Sequence, residues 1–201
     1  MTRREAIERV SLLLGGAALV GQSALLAGCA SPAGPRAAEL SAGNGARELF
    51  TAEDVALLDE VADTILPDTA TPGAKAAGVG PFIAVMVTDA YDPGEQRVFM
   101  AGLRTLDAQC RKMHGTSFMA ATPAQRLALL ERLDAEQVEQ SRARAADEPP
   151  HYFRMIKELA LLGYFTSEIG YTQAMRYLEA PGRFDPCVPY APGDKAWAPH
   201  A

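Results

Sequence analysis

Apolar positions recur at helical spacing in one block after another, and no block alternates strongly enough to read as a strand. Val55, Leu57, Leu58, Val61 and Ile65 form the first block. Thr51 and Asp54 stand before it as a capping box, and Pro67 closes it. Residues 67–81 are turn chemistry, in which Thr71 before Pro72 predicts a second, short helix start. A further helix fits Phe82–Ala90. Asp92-Pro93 then opens a long helix through Met113, closed by Gly115. Along it Phe99, Leu103, Leu106, Cys110 and Met113 fall within about 40° of one line at ~100° per residue, which makes Cys110 a buried core thiol.

Thr122-Pro123-Ala124-Gln125 is another capping signature, for a helix reaching Ala145 whose part from Glu136 to Arg144 is polar and solvated. Pro149-Pro150 breaks the chain. The block His151–Phe165 has a wide apolar face and a thin polar stripe of His151, Arg154, Lys157 and Glu158, interrupted by Leu161. Such a helix is either central in a bundle or presents a face to a partner. A last helical piece, Tyr171–Leu178, precedes a tail rich in Pro and Gly. The pattern predicts an all-α class: a small bundle of five to six helices with an irregular C-terminal tail.

The first residues read differently. Arg3 and Arg4 precede a stretch from Val10 to Ala27 that carries no charge, an export signal rather than part of the fold. Thr2-Arg3-Arg4-Glu5-Ala6-Ile7 resembles the twin-arginine signal, with Ala6 where Phe is usual; the alternative is an ordinary secretory signal. Leu26-Ala27-Gly28-Cys29 resembles the bacterial lipobox, in which the Cys is acylated and the chain is cut before it; plain cleavage is the alternative. The expected organisation is a signal at 1–28, a flexible tether at 29–48 behind a lipid on Cys29, and one helical domain at 49–201. The product would be a periplasmic, membrane-anchored lipoprotein. No later stretch holds 18 uncharged apolar residues, so no spanning helix is expected after processing.

The chain of 201 residues has a net charge of −6, and its signal carries three Arg and two Glu, which puts the remainder near −7 and argues against nucleic acid. Export makes the cysteines matter. With Cys29 assigned to lipid, Cys110 and Cys187 pair with each other, or one is buried and the other meets a partner. The chain lacks Cys-x-x-Cys-His, Gly-x-Gly-x-x-Gly, Gly-x-Ser-x-Gly and His-Glu-x-x-His. His114, His151 and His200 are far apart and read as solvated, and the carboxylates fall mainly in first turns and on polar faces. No catalytic, cofactor or metal residues are expected.

Three segments carry a resemblance. They are Ile65-Leu66-Pro67-Asp68-Thr69 with Thr71-Pro72-Gly73-Ala74 and Ala77-Gly78-Val79; Gly163 to Gly170; and Pro181-Gly182-Arg183-Phe184 with Cys187-Val188-Pro189 and Pro192 to Trp197. In this order, from residue 50 to 198, they resemble the gluconate 2-dehydrogenase subunit 3 family. The resemblance implies a small non-catalytic subunit of a periplasmic sugar or polyol dehydrogenase. Its partner would be a large FAD-containing subunit of the glucose–methanol–choline type, and a cytochrome c subunit often completes such complexes. FAD would sit in that partner and no cofactor in this chain. Cys187, Tyr190, Trp197, Tyr164 and Phe165 are then the expected partner contacts. Against this, the Pro-Asp-Thr run is also an ordinary turn, Tyr164-Phe165 also plain core, and Trp197 also a cover for its own domain. A free-standing periplasmic lipoprotein that binds a small molecule or envelope component is the competing reading; an enzyme in its own right is the third.

Overall fold

The computed structural model describes residues 49–145, 148–180, 182–183 and 187–198. The signal, the tether, Arg3, Arg4, Cys29 and His200 lie outside the described residues.

The fold is all-α. Helix α1 (Ala52–Ile65) starts where Thr51 accepts the Asp54 N–H and the Asp54 carboxylate accepts the Thr51 N–H. It stops at Leu66, ahead of Pro67, which has no N–H to continue the ladder. Thr71-Pro72 starts no helix. Thr71 instead offers its carbonyl to the Thr69 N–H, and the chain runs through turns to Gly78. There a left-handed φ of 68° turns it into α2 (Val79–Ala90), three residues earlier than predicted. Helix α2 ends without glycine or a basic residue. The Gln96 amide nitrogen covers that end, lying 3.0–3.2 Å from the carbonyls of Val87, Thr88 and Tyr91.

Helix α3 (Pro93–His114) has its expected box between Asp92 and Glu95 and ends on Gly115 at φ 73°. A 3₁₀ turn, Phe118–Ala120, was not predicted; Ser117 caps it and it drives Phe118 fully into the core. Helix α4 (Pro123–Ala143) opens on the Thr122–Gln125 box. Helix α5 (Tyr152–Thr166) opens on His151, whose Nδ1 accepts the Phe153 N–H at 3.1 Å.

The predicted last helix is shorter and different in kind. A π turn, Gly170–Ala174, replaces it. Met175 goes extended, and the next backbone groups pair with the tail: Arg176 N–H donates to the Ala196 carbonyl and Ala198 N–H to the Arg176 carbonyl, each at 2.8 Å. Those pairings take the groups a continuing helix would need, and they form the isolated parallel bridge between Arg176 and Trp197.

Helix α5 is the central one. It packs against α1, α2, α3 and α4, and Phe153, Met155, Ile156, Leu159, Ala160 and Tyr164 are buried on it. Around them lie Leu58 and Val61 of α1, Ile83 and Val87 of α2, Phe99, Leu103 and Leu106 of α3, and Leu129 and Leu133 of α4. Two close approaches depend on missing side chains. A Cβ on Gly102 of α3 would sit 2.3 Å from the Tyr152 side chain, and one on Gly163 of α5 would sit 2.6 Å from the Phe82 ring. Cys110 is buried as expected, while Met113, at the end of the same stripe, is exposed in the last turn. Among the described residues no helix is long and apolar enough to cross a membrane.

Candidate interaction surface

The turn between α1 and α2 is held by carboxylates on backbone amides. Asp68 accepts the Gly73 N–H, Asp63 the Lys75 N–H and Asp59 the Gly80 N–H. Burial pushes the Asp59 carboxyl up from its ordinary range, with the Gly80 N–H working against it. Next to them Glu60 of α1 meets Lys75 at 3.0 Å and Arg126 of α4. Burial raises Glu60, but the bonds and charges of Lys75 and Arg126 outweigh it and bring the group below the usual carboxylate range. Arg126 also donates from Nε to the Phe118 carbonyl at 2.9 Å and from Nη2 to the Met119 carbonyl at 2.8 Å. One guanidinium thus ties α1, the 3₁₀ turn and α4 together. Sequence reading missed this group.

The structure puts the five expected contact residues in three places. Tyr164 is buried, so its side chain is not offered to a partner; its hydroxyl donates to the Pro72 carbonyl at 2.8 Å and lies 3.4 Å from the Thr71 hydroxyl. It pins the turn to α5. Its neighbour Phe165 stands on the outside of α5, 38% exposed, with Leu162 also exposed on that helix. The backbone behind Tyr164 is equally engaged. Ser167 Oγ donates to the Tyr164 carbonyl at 2.7 Å and accepts the Gly170 N–H at 3.0 Å, setting up the π turn.

The tail holds the other three. Cys187, Tyr190 and Trp197 are all exposed, Tyr190 by 73%. Trp197 is fixed from one side, its ring 4.7 Å from the Arg176 guanidinium carbon. Tyr177 and Leu178, also exposed, extend the apolar surface near Arg176. Cys110 keeps a free thiol, pushed up by burial, so no bridge joins it to Cys187.

His151 is buried rather than solvated: it caps α5, stacks on Tyr152 at 4.6 Å and lies 3.7 Å from Glu136. Burial, together with the charge of Glu136, raises the Tyr152 hydroxyl to about 12. The open groove between α4 and α5 has its cations matched by carboxylates, Arg142 with Glu139, Arg154 with Glu158 and Lys157 with Asp134. Among the described residues no cluster of His, Cys, Asp and Glu could hold a metal. What the arrangement displays is apolar and aromatic surface at the tail and at Leu162 and Phe165 of α5, while the turn between α1 and α2 is fixed by partly buried and exposed polar bonds.

No curated protein and no solved structure matches the chain. The family model for gluconate 2-dehydrogenase subunit 3 matches residues 52–182, which takes in the whole helical bundle and leaves out the segment carrying Cys187, Tyr190 and Trp197. With that match, over more than half its length, the chain belongs to the gluconate 2-dehydrogenase subunit 3 family.

Proposed function

We propose that this chain is the non-catalytic small subunit of a periplasmic FAD-dependent sugar or gluconate dehydrogenase, which it escorts through export and stabilises afterwards. The family match over the helical bundle carries the reading. The exposed Tyr190, Trp197 and Phe165 support it, because aromatic residues are the usual anchors of an interface. Export would use Arg3 and Arg4, and a lipid on Cys29 would hold the assembly at a membrane. A flavoprotein loaded with FAD in the cytoplasm must cross already folded, which suits a twin-arginine route. FAD belongs to the partner in this reading, a cytochrome c subunit is a further candidate component, and Cys187 is a contact to the large subunit, with an intersubunit disulfide as its strongest form.

The test is purification of the tagged full chain from membranes under non-reducing conditions. A large co-purifying protein with flavin absorbance near the visible blue, and a Cys187-dependent shifted band, is the expected result. A chain that comes down alone, with no flavin, rejects the subunit reading and leaves the free-standing lipoprotein.

A further inference from the structure

The C-terminal segment is attached to the bundle in an unusual way. From Cys187 to Trp197 every residue is exposed, and only Ala198 is buried. Its described links to the bundle gather on one short stretch: the two backbone bonds to Arg176, the Arg176 guanidinium against the Trp197 indole, and the Lys195 ammonium on the Gln173 carbonyl. Gly182, at a left-handed φ of 68°, stands between that stretch and the segment and supplies a pivot. Pro189 and Pro192 stiffen the arm beyond it.

The closed position is a compromise. It covers one face of the indole and leaves Trp197 50% exposed. The Arg176 Nε at this contact is itself buried with no hydrogen-bond partner. A buried donor without an acceptor costs free energy that water recovers when the site opens. A tryptophan clamped on one face by its own chain, meanwhile, cannot give its full area to a neighbour.

We propose that residues 187–198 are a strap, clipped shut by Arg176 in the isolated subunit and lifted when the dehydrogenase subunit docks, so that Trp197 leaves Arg176 and enters the interface. The clip keeps a large apolar side chain half covered until a partner is there to bury it. The partner's role rests on the subunit reading above; the clip itself does not.

Trp197 is the chain's one tryptophan, so its fluorescence reports the strap alone in the isolated subunit, and 5-hydroxytryptophan incorporated at that position, excited apart from ordinary tryptophan, reports it in a mixture. In the full chain without partner, Arg176→Gln removes the cation and should speed exchange of the Ala198 amide about two- to fivefold, with more acrylamide quenching of Trp197 and unchanged exchange in α5. Exchange and quenching equal to the parent overturn the clip. Mixing with the purified flavin subunit in a stopped-flow fluorimeter tests the lift. A strap that must open first gives a rate that levels off as partner concentration rises, and Arg176→Gln raises that plateau about two- to fivefold. A rate that stays linear and unmoved by Arg176→Gln, in a pair that still co-elutes, overturns the strap while the subunit reading stands. Failure to co-elute at all overturns the subunit reading and the strap's docking role with it, while the exchange experiment still decides the clip.

Discussion

Replacing Arg126 by alanine should be among the most damaging single changes away from the apolar core. The guanidinium makes charge-assisted bonds to the carbonyls of Phe118 and Met119 and pairs with Glu60, with side-chain exposures of only 14% and 18% for the pair. It also covers the Phe118 ring, 5.6 Å away. Removing one member of a buried pair costs about 3–5 kcal/mol because the other is left uncompensated. Two facts pull the figure to the low end. Lys75 still reaches Glu60 at 3.0 Å, and Met119, being exposed, can recover water. The expected cost is about 3 kcal/mol, or ~6–12 °C in melting temperature for a domain of this size.

The assay is urea unfolding followed by far-UV circular dichroism, since the lone tryptophan sits in the tail and does not report the bundle. A cycle with Glu60→Gln should give a coupling of at least ~1 kcal/mol. The pH dependence has a definite sign. Glu60 is held below its ordinary range in the fold. Its contribution is therefore complete above the unfolded value, about 4.3, and is lost as pH falls through the folded value. The penalty of Arg126→Ala should thus shrink below about pH 4. A cost under ~1 kcal/mol at neutral pH, the range of a surface pair, would refute this account of the junction.

Two further changes probe the other contacts. Tyr164→Phe keeps the ring and removes the hydroxyl bonded to Pro72, so it should cost about 1 kcal/mol and speed amide exchange at Gly73 and Ala74 while α4 is unaffected; a uniform change across the bundle would contradict a local pin. Gly102→Ala gains about 1 kcal/mol of helix propensity but drives a methyl to 2.3 Å from Tyr152, where overpacking of roughly 1–3 kcal/mol wins, so melting should fall and adding Tyr152→Ala should remove the penalty. A Gly102→Ala protein more stable than the parent would show that the two helices have room to part.

The sequence made the helices legible because their start signals are local. Thr51 with Asp54, Asp92 with Glu95 and Thr122 with Gln125 each act across three residues, and each appears in the structure as a reciprocal box. The Cys110 stripe was legible for the same reason. What escaped was long-range. Arg126 and Glu60 are 66 residues apart, Tyr164 and Pro72 are 92 apart, and nothing in either neighbourhood marks its partner. His151 escaped because an imidazole at a helix start follows a proline pair and looks solvated, whereas here its Nδ1 accepts the Phe153 N–H and serves as the cap. The last helix was misjudged because its competitor, the pairing of Arg176 with the tail at Ala196 and Ala198, has no signal of its own.

The contact between Tyr164 and Pro72 changes what the family-like segments mean. The Pro67–Gly73 turn and the Gly163–Gly170 stretch are distant in sequence and bonded to each other in space. Their residue types are explained by that bond and by its supports: the Gly73 N–H on Asp68, the Phe82 ring over Gly163, Ser167 on the Tyr164 carbonyl. They build the bundle, and they would do so whatever the bundle binds. The family match follows this division, covering both segments and ending at residue 182. Among the described residues beyond that point, Cys187 to Trp197 are all exposed, and their described ties to the bundle run through Arg176 and Gln173. An exposed side chain can vary with the surface it meets more readily than a buried one. Under the subunit reading proposed above, the part of this chain that would tell one dehydrogenase partner from another is to be sought in the tail rather than in the turn, and exchanging residues 187–198 between two such subunits should move partner preference with the tail while both bundles keep their stability.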